Sequence, residues 1–122
     1  MPSEVGRPMY LDQVALDFPE LTIVGGHIGY PWTEEMVAVA RKHENVYIDT
    51  SAYTTKRLPE QLIAFMKTGS GARKVLFGSN YPMIMPAYAL DGLEQLQLSQ
   101  DTLAQYLHCN AARVFSKLGA TA

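Results

Sequence analysis

Three short runs rich in β-branched and apolar residues, Leu21–Gly25, Val46–Asp49 and Lys74–Gly78, are separated by stretches of helical periodicity, and no two runs follow each other as a hairpin. Their starts lie about 25 to 30 residues apart, the length a crossover helix requires. The rhythm is therefore βαβαβα, and it constrains the chain to parallel strand pairing.

The intervening segments carry helix ends. Thr33 is placed to cap a helix beginning Glu34-Glu35, whose carboxylates suit the positive N-terminus, while Arg41-Lys42-His43 occupy its negative end. Met36, Val39 and Ala40 form its apolar stripe. Pro59 suits a first helical position, Leu62, Phe65 and Met66 recur at helical spacing, and Gly69 is the expected left-handed stop. Leu90, Leu93 and Leu96 mark a third helix. Ser99 opens a last segment over Asp101–Cys109, which Asn110–Leu118 continues or follows. Ahead of the first strand, Met9–Phe18 reads as a helix ended by Pro19.

Composition narrows the classes. The 122 residues are 48% hydrophobic and 18% charged, enough for one globular α/β domain over 1–122 and too apolar for a disordered chain. Ten Lys and Arg against twelve Asp and Glu leave a formal charge of −2 without like-charge blocks, which argues against nucleic-acid or anionic-membrane partners. No apolar stretch approaches the roughly 18 residues of a membrane span and no signal core opens the sequence, so the expected location is the cytoplasm. One cysteine, Cys109, and three scattered histidines match neither an internal disulfide nor a zinc-finger spacing. Nucleophile-elbow, P-loop and dinucleotide motifs are missing too.

In parallel α/β folds, chemistry gathers where strands end, because their C-termini share one edge. Here the three ends read Gly25-Gly26-His27-Ile28-Gly29-Tyr30-Pro31, Asp49-Thr50-Ser51-Ala52-Tyr53 and Gly78-Ser79-Asn80-Tyr81-Pro82. Each supplies one strongly polar group: His27, Asp49 and Asn80. Singly they suit a polar turn, a cap and an ordinary turn residue. Their convergence makes His27, Asp49 and Asn80 candidate site residues together, with Tyr30, Trp32, Tyr53 and Tyr81 beside Asn80 as candidate substrate-binding residues. His43 is expected to be a solvated helix-end residue, Cys109 a small core residue, and Met83-Ile84-Met85 apolar filler or pocket lining.

The segments Pro19-Glu-Leu-Thr-Ile-Val-Gly-Gly-His27-Ile-Gly, Asn45-Val-Tyr-Ile-Asp49-Thr-Ser, Lys74-Val-Leu-Phe-Gly-Ser-Asn80-Tyr-Pro82 and Asn110-Ala-Ala-Arg-Val-Phe115 resemble, in order, the C-terminal part of the amidohydrolase-2 family. These are aminocarboxymuconate-semialdehyde decarboxylase-like, metal-dependent TIM-barrel hydrolases and decarboxylases. The resemblance implies that the strands are the sixth, seventh and eighth of a (β/α)8 barrel, three consecutive parallel βα units of an incomplete barrel. It matches His27 to the sixth-strand active-site histidine and puts Asn80 where the family has a metal-ligating aspartate. The family's His-x-His pair and its fifth-strand histidine have no counterpart in this sequence.

On that resemblance the chain is the C-terminal part of a hydrolase or decarboxylase for small carboxylate or amide substrates, inactive alone. Zinc or manganese belongs to the complete barrel, and none is expected on the isolated chain. With the other strands supplied by a complementing half, His27 would be the catalytic general acid/base or an electrostatic stabiliser at the metal-bound water or substrate, oriented by the second candidate catalytic residue, Asp49. The rival reading is a non-catalytic barrel remnant that acts as a binding module, and a small doubly wound domain is a third. Strand alternation is expected to set Ile23, Gly25 and His27 on one face with Tyr47, Asp49, Leu76, Gly78 and Asn80. Right-handed crossovers leave that face without helices. Parallel sheets are normally covered on both sides, so a homo-oligomer or association with the missing barrel half is expected.

Overall fold

The computed structural model describes residues 3–116. Short 3-10 turns over Ser3–Gly6 and Pro8–Tyr10 lead into α1, Leu11–Asp17. The chain then runs β1 (Ile23–Gly25), α2 (Thr33–Lys42), β2 (Val46–Asp49), α3 (Glu60–Met66) and β3 (Val75–Leu76). After β3 come α4 (Pro86–Ala89), α5 (Gln100–Ala104), a π-helical turn over Gln105–Cys109, and α6 (Asn110–Ser116). The strands form one open parallel sheet in the order β1-β2-β3, with α2 and α3 in the crossovers. This is an incomplete barrel. Among the described residues no helix is long and apolar enough to cross a membrane.

The core lies between the sheet and its helices, where Met36 and Val39 of α2 and Leu62, Phe65 and Met66 of α3 bury against Val46, Ile48 and Val75. The stripes read from the sequence are the ones used. Strand register differs at one place. Ile23 pairs with Val46 and Gly25 with Ile48, so Ile23 and Gly25 face the helices and Val24 lies beside Tyr47 on the open side. Gly25 belongs there because any side chain at that position would collide with Met36. The alternation expected for β2 and β3 holds, with Ile48 beside Val75 and Asp49 beside Leu76.

The strands are shorter than their apolar runs where the ladder loses its partner. Beyond Leu76, the Phe77 amide donates to the carbonyl of Tyr106 in the π turn rather than to a strand. Helix ends also shift. Thr33 lies inside α2 and is buried, with Trp32 at the cap position, and Pro59 caps α3 instead of starting it. Gly69 is not a left-handed stop. α3 ends where the Thr68 hydroxyl donates to the Phe65 carbonyl, and among the described residues the left-handed glycines are Gly29 and Gly92. Gly92 also divides the Leu90, Leu93 and Leu96 pattern, leaving α4 and a 3-10 turn over Leu93–Leu96. Ser99 caps α5, its Oγ accepting from the Thr102 amide at 3.1 Å. The wider π turn then directs Tyr106 into the core and leaves Cys109 exposed, which corrects its expected burial. Leu118 lies outside the described residues.

His43 is not solvated. It is buried, and its Nε2 donates to Asp12 Oδ1 at 2.7 Å, tying α1 to the end of α2. Lys42 Nζ reaches the same oxygen at 2.9 Å. The hydrogen bonds from His43 and then Lys42 hold the Asp12 carboxyl below the usual carboxylate range. A carboxylate depressed by folding contributes stability above its unfolded pKa and loses that contribution as pH falls through the folded value. The urea midpoint should therefore fall further between pH 6 and pH 2 in the wild type than in Asp12→Asn. Parallel falls in the two proteins would show that the link contributes nothing.

Candidate functional site

An open cleft of about 540 Å³ lies at the C-terminal ends of the strands, lined by His27, Tyr30, Tyr53, Arg57, Asn80 and Met83. It draws on all three strand-end loops. A second cavity, about 390 Å³, lies at the opposite edge around Lys74, Arg73, Glu20 and Glu44. There Lys74 is a strap: its buried ammonium donates to the carbonyls of His43 and Val46, closing the strand starts together. Burial pushes that ammonium down to about 8, against an opposing pull from Glu44.

His27 follows β1 in the left-handed region, with φ 53°, as does Ile28, also at φ 53°. For a β-branched residue this backbone is strained. The side chain of Ile28 is 1% exposed and packs into the core, which holds the loop in that shape. The imidazole of His27 stays exposed and bonds across to β2's loop, with Nδ1 3.0 Å from the Ser51 carbonyl oxygen and 3.1 Å from Ser51 Oγ. Asp49 does not touch His27. Its Oδ1 accepts the Ser51 backbone N–H, an Asx-type turn. Gly78 of the third strand end leaves room for it, since a Cβ there would lie 2.7 Å from Asp49 Oδ1. Asp49, expected to orient His27, is connected to it through Ser51.

The tyrosines divide. Tyr30 and Tyr53 form one wall, ring centroids 6.1 Å apart and tilted by 42°. Partial burial, and then the neighbouring Tyr30, raise the Tyr53 phenol above its ordinary value, while Arg57 pulls it down. Tyr81 is 65% exposed and does not line the cleft. Trp32 also stands apart, its ring beneath the guanidinium of Arg7 at 5.7 Å, in an assembly that Arg7 shares with Glu35. Asn80, left-handed at φ 66°, lines the cleft and donates from Nδ2 to Met83 Sδ at 3.3 Å.

Two residues of the site carried no sequence signal. Arg57 ends a 3-10 turn, is exposed, and makes no ion pair among the described residues. Ser51 meets His27 partly through its backbone carbonyl, a group every residue type has. Apart from His27, the lining holds one cation, one amide, two phenols and apolar groups, with no carboxylate. A small anion bearing an apolar or unsaturated body suits such a surface.

Comparisons with known proteins agree with this architecture. The family profile described as amidohydrolase matches residues 1–117. No curated protein matches significantly. Among solved structures, an uncharacterised TIM-barrel protein from Bordetella bronchiseptica is 31% identical, with a TM-score of 0.78 over 92% of this chain and 40% of its own. An amidohydrolase from Burkholderia multivorans, solved with bound HEPES, is 14% identical, with a TM-score of 0.64 over 89% of this chain and 49% of its own. A structure described in the same words but with bound zinc is 15% identical, with a TM-score of 0.62 over the same shares. The chain therefore spans less than half the length of these barrels.

Proposed function

The chain belongs to the amidohydrolase family, and from that premise we propose that it is the C-terminal part of a barrel that hydrolyses or decarboxylates small carboxylate or amide substrates. The observation that carries the reading is the convergence of all three strand-end loops on one cleft around His27. In it, His27 holds and moves the proton as general acid/base. Arg57 anchors a substrate carboxylate, and Tyr30 and Tyr53 contact its body. Asn80 borders the reacting end. Trp32 and Tyr81 stay outside this assignment, because neither lines the cleft.

A divalent metal, zinc or manganese, belongs in this reading to the complete barrel. The donors on this chain do not fit one by themselves. The cleft offers one imidazole, Asn80 carries a neutral amide, and Asp49 is committed to the Ser51 amide. Among the described residues there is no group of three or more His, Cys, Asp and Glu able to hold a metal, whereas a catalytic zinc site takes three protein ligands. No chemical step is therefore assigned to a metal held here, and the isolated chain is proposed to be inactive. The open sheet face and free edges take the remaining βα units of a barrel in preference to a second copy, in keeping with relatives of which this chain covers less than half.

A second reading, a non-catalytic binding module, draws on Asn80, whose amide lacks the charge and basicity of a carboxylate. One experiment separates the two. The upstream βα units of the Bordetella bronchiseptica relative are fused to this chain, loaded with zinc or manganese, and assayed against small lactones, amides and carboxylic acids. Metal-dependent turnover is expected, lowered about 10²- to 10⁴-fold by His27→Ala. A folded, metal-loaded fusion without turnover, with or without Asn80→Asp, would establish the binding module instead.

A further inference from the structure

We propose that Ser51, held by Asp49, fixes His27 as the Nδ1–H tautomer and so makes Nε2 the nitrogen that meets substrate or proton. This rests on the reading of His27 as an acid/base, but its geometry stands independently. A carbonyl oxygen only accepts, so the His27 Nδ1 that lies 3.0 Å from the Ser51 carbonyl oxygen is the donor. The other neutral tautomer would aim the Nδ1 lone pair at that oxygen. The Ser51 hydroxyl, 3.1 Å away, accepts a share of the same proton in this tautomer; in the other it would donate to Nδ1, but the carbonyl oxygen would still face the nitrogen lone pair.

Which nitrogen of a histidine acts is set by the bond the other one makes. Nε2 has no partner among the described residues, while the ring lies on the cleft. The arrangement is held from three directions. Ile28, 1% exposed, anchors the backbone of the His27 loop. Asp49 Oδ1 accepts the Ser51 N–H and so sets the plane from which the Ser51 carbonyl is presented. Gly78 leaves the space in which Asp49 sits, a Cβ there falling 3.2 Å from Ser51 Cβ as well as close to the carboxylate. Asp49 and Ser51 are thus positioning residues, and the role assigned to Asp49 from sequence is exercised one residue removed.

Long-range ¹H–¹⁵N correlation spectra of the ¹⁵N-labelled chain at pH 8, where ordinary histidine is neutral, read the tautomer directly and require neither metal nor activity. The wild type is expected to show Nδ1 protonated and Nε2 unprotonated in the majority form. Ser51→Ala keeps the carbonyl and should keep that tautomer. Asp49→Ala frees the Ser51 amide and should shift the majority to Nε2–H, while Asp49→Asn, which retains an acceptor oxygen, should restore the wild-type pattern. A wild-type majority of Nε2–H would overturn the proposal outright. An Asp49→Ala chain that keeps the Nδ1–H form, with its remaining amide spectrum dispersed as in the wild type, would remove Asp49 from it. A confirmed tautomer together with an inactive fusion would leave this proposal standing and sink the hydrolase reading.

Discussion

Asn110→Ala is expected to destabilise the chain by about 3 kcal/mol, the sum of two or three lost buried hydrogen bonds at ~1 kcal/mol each and a small cavity. Asn110 is fully buried, at 0% exposure. Its Nδ2 donates to the carbonyls of Ala72 at 2.8 Å and Val75 at 2.9 Å, and its Oδ1 accepts from Arg113 Nη2 at 2.9 Å. One side chain therefore joins the start of α6 to the approach and first residue of β3. Truncation leaves two carbonyls facing a pocket with no donor, the costly form of a broken bond. Asn110→Asp should be at least as damaging, because its carboxylate sets oxygens against the oxygens of Ala72 and Val75. Urea unfolding followed by circular dichroism checks both variants. A loss below about 1 kcal/mol in Asn110→Ala would mean that water or a relaxed backbone replaces the amide.

The same residue shows what a sequence does and does not display. Asn110 stood inside a recognisable motif, yet nothing about its spacing marked it as the pin of β3, because its partners are carbonyls 38 and 35 residues away. The βα rhythm and the buried stripes of α2 and α3 were legible, since each depends on local periodicity and on which residue types bury well. Register was not legible for β1. Both faces of Ile23-Val24-Gly25 look apolar, and the choice is made by a contact with Met36 that only the folded chain contains. His43 and Cys109 were misread for related reasons. A helix-end histidine is solvated unless a carboxylate from another element comes to it, as Asp12 does, and a π turn rotates its own residues and those after it away from the positions an α-helix would give them. The candidate site was half visible. The strand-end rule brought His27, Tyr30, Tyr53 and Asn80 to one cleft, but it also named Trp32 and Tyr81, which the backbone after the strands carries elsewhere.

Gly71→Ala is the substitution with the largest expected effect. Gly71 has an ordinary backbone conformation, so its reason is space rather than φ: an added Cβ would fall inside van der Waals distance of the Phe65 carbonyl oxygen and 2.8 Å from Thr68 Oγ1. Neither atom can retreat cheaply. The Phe65 carbonyl accepts from the Thr68 amide at 3.0 Å and from its hydroxyl at 2.7 Å, and the Gly71 amide donates back to that hydroxyl at 2.9 Å. The Phe65 side chain, 1% exposed, is fixed in the core. Relief must come from moving the turn that delivers Lys74 and β3, which would loosen the Lys74 strap and the Asn110 bonds together. A loss of about 3 kcal/mol or more is expected, at the upper end of what overpacking costs. Gly69→Ala, two residues earlier in the same turn, is the matched control. Nothing lies within 4 Å of its added Cβ and its φ is not left-handed, so it should be neutral or stabilise by about 0.4–1 kcal/mol through the unfolded chain. Urea midpoints that move equally in the two variants would show that the turn after α3 yields freely and that β3 is not held through it.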